Sequence, residues 1–425
     1  MLLAFQQQLK QYFPTQSDFM LGLSGGVDSV VLLQLLAQSR RSLKLNVRAI
    51  HIHHGLSPNA DAWASFCQNL CQTLEIPLLI KKVKVEGKQG IEAQARHARY
   101  QAIGQTILPN EVLVTAHHLD DQVETFFLAL KRGSGVKGLG AMQAVSFLQN
   151  FAIFRPLLAI SKQEILDYAE QHRLMWVEDE SNQNTDYERN FLRQEVLPPL
   201  NQRWQQFSHM VARTAQHCRE QQKLIEELLE HELAVRMDET RKRLDIRGFE
   251  LFSAPKQQAL LRLWLEKCQL PMPSMVQLEQ IIHRLILAKP DKTPQIQLGK
   301  QMIRRYQQHI FVTPPDLPKP LFSTSLTPYA EVSLPDELGV IRRNDRHITY
   351  TRFTKTAHFS LPENLAHQPL ELKFQSPIRV KLLNRTQHEE MKKIWQQQQV
   401  PVWERGRVPL LFCDEMLLFV LKMDD

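Results

Sequence analysis

The sequence contains few cysteines and no long apolar run. Its five cysteines among 425 residues are sparse and odd in number, which does not match a disulfide framework and favours a reducing compartment. Near the N-terminus, Gln6, Gln7, Gln8 and Lys10 interrupt the apolar residues before the hydrophobic region of a secretion signal could form. No run reaches the roughly 18 apolar residues of a membrane span. We therefore expect a cytoplasmic protein without a membrane-spanning segment.

The composition is typical of a globular chain with several domains and a basic region. A hydrophobic content of 43% over 425 residues is enough for a buried core, and the length predicts two or three domains. The net charge is +7, and residues 201–315 hold 18 basic against 12 acidic side chains. This distribution indicates a polyanionic partner, although a solvated helical face would carry the same charges.

Strand and helix patterns alternate through the first 200 residues. Apolar strands are predicted at 19–23, 47–53, 78–85 and 112–116, with helices at 28–38, 60–74, 91–107 and 120–131. This alternation predicts an α/β fold with a doubly wound, Rossmann-like parallel sheet, which binds ligands at the carboxyl ends of its strands. Polar motifs at 24–29, 51–54 and 117–124 follow strand ends, so we expect them to share one edge of the sheet.

The loop after the first predicted strand has the features of a phosphate site. Two glycines allow a sharp turn that brings backbone N–H groups close to an anion, and the following helix adds its positive N-terminal end. Two serines add hydroxyl donors, and a carboxylate in the first helical turn could hold Mg²⁺ beside the phosphates. The alternative is an ordinary tight turn. The loop residues are Ser24, Gly25, Gly26, Val27, Asp28 and Ser29.

A second motif places several acidic groups in one helical turn. If a helix starts near Asp120, then Asp120 and Glu124 share one face and Asp121 lies on the adjacent face. Three carboxylates so close together repel one another unless a cation, either Mg²⁺ or an ammonium group, lies among them. A helix N-terminus stabilised by its dipole is the structural alternative. A zinc site that includes His117 and His118 is disfavoured, because adjacent side chains at a strand end point apart.

Two pairs of arginines could bind phosphate groups. Arg96 and Arg99 are three residues apart on a predicted helix, a spacing that surface helices also show routinely. Arg189 and Arg193 are four apart, so both guanidinium groups share one helix face. Beside a phosphate loop, such arginines could stabilise the charge of departing pyrophosphate.

Together these motifs resemble the tRNA(Ile)-lysidine synthase family of N-type ATP pyrophosphatases, whose phosphate loop is the PP-motif. The resemblance is dense over residues 20–200 and loose over 201–370, and the segments QVPVW at 399–403 and RVPLL at 407–411 also resemble the final domain of that family. It rests on SGGVDS, HIHHGLSPNADAW, EAQARHARY, TAHHLDDQVETFFLALKRGSGVKGLGAM, RPLL and EDESNQNTDYERNFLR. The implied reaction has two steps: ATP adenylates the wobble cytidine of tRNA(Ile) with a CAU anticodon, and free L-lysine then displaces AMP to give lysidine.

The resemblance also implies roles for individual residues. The loop Ser24, Gly25, Gly26, Val27 and Ser29 would hold pyrophosphate, with Asp28 and Asp121 as ligands of Mg²⁺. Ile50, His51 and His53 would contact the adenosine of ATP. Asp120, Asp121 and Glu124 could receive the amino groups of lysine, and His117 or one of the carboxylates could act as the base. Arg96, Arg189 and Arg193 complete the set of predicted catalytic residues.

We divide the chain into four parts. Residues 1–203 would form the catalytic domain, 204–313 a mainly helical domain that binds tRNA, 314–328 a proline-rich linker and 329–425 a small α+β domain that also binds tRNA. Basic patches in the last two domains, which include Arg304-Arg305 and Arg342-Arg343, are expected to contact phosphates as patches, whereas each single Lys or Arg is expected to be solvated. The oligomeric state is left open, with a homodimer among the alternatives.

Two alternative functions follow from the same loop. A sulfur transferase acting on tRNA cytidine would need a Cys-x-x-Cys pair, whereas Cys67 and Cys71 are separated by three residues. A nucleotide sensor would bind ATP without chemistry and would need neither the acidic helix nor domains for RNA. Both alternatives therefore leave features of this sequence unexplained.

Overall fold

The computed structural model describes residues 1–423 except 56, 85–89, 149, 289–292, 317–318, 384 and 386, and it leaves the side chains of 91–93 undescribed. The chain separates into two compact units, Met1–Glu227 and Leu228–Asp425, which are described one at a time. This division falls within one long helix. The four-part division expected from the sequence stays a prediction.

The first unit is built on a six-stranded sheet. Its order is β3-β2-β1-β4-β6-β5, parallel throughout except for β5, which pairs antiparallel at the edge. This confirms the predicted doubly wound sheet. The strands are β1 (Asp18–Gly22), β2 (Asn46–His53), β3 (Leu78–Lys82), β4 (Val112–Val114), β5 (Val145–Leu148) and β6 (Phe151–Phe154). The predicted end of the third strand, Val85, lies outside the described residues.

Helices cover both faces of this sheet. The central strand β1 buries Phe19, Met20 and Leu21 completely, because its alternate side chains enter cores on opposite faces. The helices are α1 (Leu2–Tyr12), α2 (Val27–Ser42), α3 (Ala60–Thr73), α4 (Ile91–Gly104), α5 (Leu119–Lys131), α6 (Val136–Leu139), α7 (Lys162–Gln171), α8 (Glu188–Phe191), α9 (Leu197–Arg203) and α10 (Phe207–Arg236). A π-helical turn, Leu192–Val196, joins α8 to α9.

The second unit begins with helices packed on a small antiparallel sheet. The core around Trp264 is formed by α11 (Ala254–Lys267) and α12 (Met275–Ile281). The sheet has the order β7-β8-β11-β10-β9, and the sequence analysis does not predict it because its strands are two to six residues long. These strands are β7 (Met237–Asp238), β8 (Arg243–Asp245), β9 (Gln295–Leu298), β10 (Gln301–Tyr306) and β11 (His309–Thr313).

The C-terminal part of this unit consists of two further sheets and one short helix, α13 (Met391–Gln397). The six-stranded sheet includes β12 (Ser323–Leu326), so part of the predicted linker pairs with β17. Its other strands are β17 (Leu370–Lys373), β18 (Arg379–Leu382), β19 (His388–Glu390), β20 (Leu410–Cys413) and β21 (Met416–Val420). The four-stranded sheet consists of β13 (Glu331–Ser333), β14 (Val340–Asn344), β15 (His347–Arg352) and β16 (Lys355–Ser360).

Three arginines of the predicted basic clusters are buried. Arg304, Arg305 and Arg343 are 5%, 4% and 0% exposed, so these three side chains do not contribute to an exposed basic patch. Arg305 donates to the carbonyls of Leu285, Ile286 and Ala288 at the end of a helical segment. Arg343 donates to the carbonyls of Leu326, Leu365, Ala366 and Gln368. Arg305 and Arg343 therefore satisfy buried carbonyl groups, which accounts for their burial, whereas Arg304 donates to Asp316.

We expect Arg343→Met to lower the free energy of unfolding of the second unit by about 3 kcal/mol, because the substitution leaves several buried carbonyls without donors. Arg342→Met is the matched control, since the Arg342 side chain is 64% exposed and pairs with Glu331 at the surface. The control should change the free energy by less than about 1 kcal/mol. Denaturant unfolding of the full chain measures both, and equal losses would contradict the assigned role of Arg343.

Candidate active site

The loop between β1 and α2 gathers donors at the N-terminus of a helix. Gly25 adopts φ +93°, and Gly26 caps α2 with extended backbone. The N–H of Gly25 donates to the Ser29 hydroxyl at 3.1 Å, and the N–H of Gly26 donates to the Ser24 hydroxyl at 3.3 Å. Two N–H groups, two hydroxyls and the helix N-terminus therefore converge within six residues. This arrangement is suited to binding phosphate oxygens.

The two histidines predicted to contact adenosine are each held by a partner within the fold. His51 is buried, and its Nδ1 lies 2.9 Å from the carbonyl of Leu23, the residue that leads into the loop. Burial lowers the pKa of His51, which favours a neutral ring that donates this hydrogen bond. His53 Nε2 lies 3.0 Å from Asp61 Oδ1. Because side chains alternate along β2, both histidines point away from the face of the sheet that carries Ile50.

At the start of α5, one buried imidazole contacts three carboxylates. His118 Nε2 lies 3.8 Å from Asp28 Oδ1 and 3.6 Å from Asp121 Oδ2, and its Nδ1 lies 3.5 Å from Asp120 Oδ2. Burial alone would lower the pKa of His118, but the carboxylates of Asp121, Asp120 and Asp28 together raise it above its ordinary value. The imidazole therefore connects the phosphate loop to the acidic helix.

Glu124 is a fully buried carboxylate between two arginines. Arg193 Nε donates to Glu124 Oε1 at 2.8 Å, and Arg189 NH1 lies 3.8 Å from Glu124 Oε2. Burial raises the pKa of Glu124 although both arginines oppose this shift. Within the described structure, Oε2 accepts no hydrogen bond. Arg193 NH2 also lies 3.4 Å from Asp121 Oδ1, so the predicted arginine pair contacts the acidic helix.

Asp120 is engaged in joining two helices. Its Oδ2 accepts a hydrogen bond of 2.8 Å from the backbone N–H of Lys162, the first residue of α7. The ammonium group of Lys162 in turn donates to Asp28 Oδ1 at 2.7 Å. Lys162 thus reaches the loop from a segment to which the sequence analysis assigned no role.

A cleft of about 210 Å³ opens between the loop, β2, α4 and the end of β4. Ile50 and Ile52 supply one apolar wall, and Tyr100 and Ile103 of α4 supply another. The predicted site residues that line it are Ser24, Asp28, Ser29, Ile50, Arg99, His117 and Asp121. The predicted residues outside its lining are Gly25, Gly26, Val27, His51, His53, Arg96, Asp120, Glu124, Arg189 and Arg193.

Several cleft residues were missed by the sequence analysis. Ile52 could have been found, because it follows Ile50 at the period of two that keeps side chains on one face of a strand. Tyr100 lies one helical turn from Arg96, whose guanidinium carbon is 5.0 Å from the centre of the tyrosine ring. Ile103 and Thr115 carry no signal that would distinguish them from other apolar or polar positions.

His117 lines the cleft as a neutral side chain. Its Nδ1 lies 2.9 Å from the Thr115 hydroxyl, and burial lowers the pKa of His117 to about 4. At neutral pH the ring is therefore uncharged, so it can form hydrogen bonds but accepts a proton only weakly.

Asp28 and Asp121 are the two cleft carboxylates that could hold a cation. Among the residues that the structure describes, no group of three or more His, Cys, Asp or Glu side chains could hold a metal ion. A cation at Asp28 and Asp121 would therefore complete its coordination with phosphate oxygens and water. This donor set fits Mg²⁺, which usually binds through one or two carboxylates together with substrate phosphates.

Three family models match the chain. They are the PP-loop domain over residues 1–200, the TilS substrate binding domain over 244–311 and the TilS substrate C-terminal domain over 370–423. The tRNA(Ile)-lysidine synthase of Actinobacillus pleuropneumoniae serotype 3 (strain JL03) is 55% identical over 420 residues, which cover 98% of each chain. That of Haemophilus ducreyi is 50% identical and covers 99% of this chain and 97% of its own.

In the part of the chain that the structure describes, no helix combines the length and the apolar character needed to cross a membrane. All five cysteines are free thiols, and four of them are buried.

We expect Gly25→Ala to destabilise the first unit by about 2 kcal/mol, because φ +93° is strained for alanine. The added Cβ would also lie 2.9 Å from Val177 Cγ2. Gly26→Ala is the control, since a Cβ there meets only the Ser24 hydroxyl, at 3.5 Å. Denaturant unfolding should separate the two variants. Equal stability of both would contradict the loop geometry described above.

Proposed function

The chain belongs to the tRNA(Ile)-lysidine synthase family and is an ATP-dependent ligase that forms lysidine on tRNA(Ile), and we propose which of its residues act in the two steps. This membership confirms the resemblance drawn from the motifs, together with ATP as substrate and Mg²⁺ as cofactor. In the first step the 2-carbonyl oxygen of the wobble cytidine attacks the α-phosphate of ATP and pyrophosphate leaves. In the second step an amine attacks carbon 2 and AMP leaves.

The loop and the cleft supply the site for adenylation. We assign the pyrophosphate to the loop from Ser24 to Ser29, because its donors converge at the N-terminus of α2. The adenosine lies against Ile50, Ile52, Tyr100 and Ile103, which form the apolar walls. His51 acts by holding the Leu23 carbonyl, and His53 holds Asp61. His51 is therefore a positioning residue in this proposal, and no contact with ATP is assigned to His53.

Asp28 and Asp121 are the proposed ligands of Mg²⁺. When bound, the ion neutralises phosphate charge and orients the α-phosphate for attack. Arg193 lies 3.4 Å from Asp121, and Arg189 lies 4.0 Å from it, so positive charge is also available where pyrophosphate departs. We assign the same role to Arg96, which lies on the helix that supplies Tyr100 to the cleft.

Free L-lysine is the proposed amine, and Glu124 and Asp121 are its proposed contacts. The ε-ammonium of lysine has a pKa of about 10.4 and must lose a proton before it attacks. Glu124 is the better base, because burial raises its pKa above the ordinary value of a glutamate, whereas burial lowers the pKa of His117 to about 4. Asp120 is excluded from direct contact in this proposal, since it already accepts the backbone N–H of Lys162.

Exposed basic side chains of the second unit are the proposed contacts for tRNA phosphates. Arg379 and Lys381 are alternate residues of β18, so they share one face, and β18 pairs with β19. The helix α13 follows β19 directly and begins with Lys392 and Lys393 at its exposed side. These four exposed side chains could bind a phosphate backbone without reading bases.

The cellular compartment and the oligomeric state are the last parts of the proposal. A cytoplasmic location suits a protein with five free thiols that requires ATP, tRNA and free lysine. A homodimer stays a prediction from the sequence, and the residue roles given above require only one chain.

Incorporation of labelled lysine into unmodified tRNA(Ile) with a CAU anticodon tests this function. Wild-type protein should incorporate label only with ATP and Mg²⁺, and Asp28→Asn should reduce the rate by at least 100-fold, because a phosphate-neutralising ligand is lost. Asp167→Asn, at an exposed position of α7, is the matched control and should retain activity.

Two different negative results would contradict two different parts of the proposal. Release of pyrophosphate with this tRNA but without incorporation of lysine would contradict lysine as the amine. Unchanged incorporation by Asp28→Asn would contradict the role of the loop carboxylate.

A further inference from the structure

Lys162 places a positive charge on the carboxylate assigned to Mg²⁺. Its Nζ donates to Asp28 Oδ1 at 2.7 Å, and the same oxygen lies 3.8 Å from His118 Nε2. Asp28 lines the cleft together with Ser24 and Ser29, so the ammonium group lies beside the phosphate loop. In this arrangement an internal cation neutralises Asp28.

The backbone of Lys162 is fixed at the start of α7. The Ser161 hydroxyl accepts the N–H of Glu164 at 3.2 Å, and Glu164 Oε2 accepts the N–H of Ser161 at 2.8 Å, which completes a capping box. Asp120 Oδ2 accepts the N–H of Lys162 itself. The N-termini of α5 and α7 are therefore bonded together, and this bond directs the Lys162 side chain towards Asp28.

The side chain, in contrast to the backbone, is free to change its contact. It is 40% exposed and Asp28 is 29% exposed, so the ion pair is partly solvated and weak. A lysine carries its charge on a flexible four-carbon stem and can reach neighbouring acceptors by rotation. Phosphate groups bound at the loop would be such acceptors.

Mg²⁺ bound to the Asp28 carboxylate would repel an ammonium group held by the same carboxylate. The two cations would lie only a few ångströms apart, and the repulsion between them weakens the contact of Lys162 with Asp28. The negative charge of ATP phosphates gives the displaced ammonium group a new partner at the same place. Binding of Mg²⁺ with ATP therefore favours movement of Lys162 from Asp28 to a phosphate oxygen.

We propose that Lys162 is a phosphate-binding residue that pairs with Asp28 before the nucleotide binds and transfers its ammonium group to an ATP phosphate when Mg²⁺ occupies Asp28. This inference rests on the proposed role of Asp28 as a ligand of Mg²⁺. The proposal also gives Asp120 a function, because Asp120 accepts the backbone N–H of Lys162 and so positions the lysine that moves from Asp28 to the phosphate. Lys162 therefore contributes to nucleotide affinity from outside the PP-motif.

Two binding measurements on the full chain test the exchange. Lys162→Met removes the charge and keeps most of the stem, so Mn²⁺, used as a paramagnetic probe for Mg²⁺, should bind the ATP-free protein several-fold more tightly. The same variant should bind ATP, measured by calorimetry in saturating Mg²⁺, about tenfold more weakly, because a charge-assisted hydrogen bond to phosphate is lost. Lys162→Arg keeps the charge and should lie close to wild type in both measurements.

Lys10→Met is the matched control, because it removes the same charge at an exposed position of α1 and should change neither affinity. Unchanged ATP affinity of Lys162→Met would overturn the phosphate contact. Weaker ATP binding without tighter binding of Mn²⁺ would overturn the exchange.

Failure of the proposed function can be distinguished from failure of the Lys162 exchange. If Asp28→Asn does not weaken Mn²⁺ binding, the assignment of the Mg²⁺ ligand fails and the exchange fails with it. If wild-type protein does not incorporate lysine, the proposed amine fails, while the two affinities of Lys162→Met still decide the exchange.

Discussion

The contact of one buried imidazole with three carboxylates is the constraint on which the candidate site depends. His118 connects Asp28 of the phosphate loop with Asp120 and Asp121 of α5. One imidazole therefore holds together two segments that lie about 90 residues apart in the sequence. These carboxylates raise the pKa of His118, and a positive charge on the imidazole would offset the repulsion between the loop and the acidic helix. The same contact sets the distance between the groups assigned to ATP and those assigned to the attacking amine.

The surrounding cations extend this charge balance. Arg193 and Arg189 contact Glu124, and Lys162 contacts Asp28, so each acidic group in the site has a basic partner. Substrates can replace these partners without leaving a buried charge uncompensated, which would be costly. Mg²⁺ replaces Lys162 at Asp28 in this account, and the ammonium group of lysine joins the carboxylates of α5. A site of this kind is stable when empty and still binds cationic and anionic ligands.

Much of the fold and part of the site could be predicted from the sequence. The parallel sheet, the phosphate loop and the acidic helix follow from local patterns, because each depends on neighbouring residues. Lys162 could not be found, since it meets Asp28 across 134 positions of sequence. The burial of Arg305 and Arg343 could not be predicted from the sequence either, because it depends on carbonyl groups supplied by other segments. His51 and His53 lie at the end of β2, but the alternation of side chains along this strand directs them to the face opposite Ile50.

The central claim is that Glu124 serves the second step while the loop serves the first. Glu124→Gln keeps the shape of the side chain and removes the base, so it separates the two steps in a single-turnover experiment with labelled ATP and labelled lysine. We predict that Glu124→Gln releases pyrophosphate in the presence of tRNA within a few-fold of the wild-type rate, while its rate of lysine transfer falls by at least 100-fold. Equal loss of both steps, or retention of lysine transfer, would contradict it.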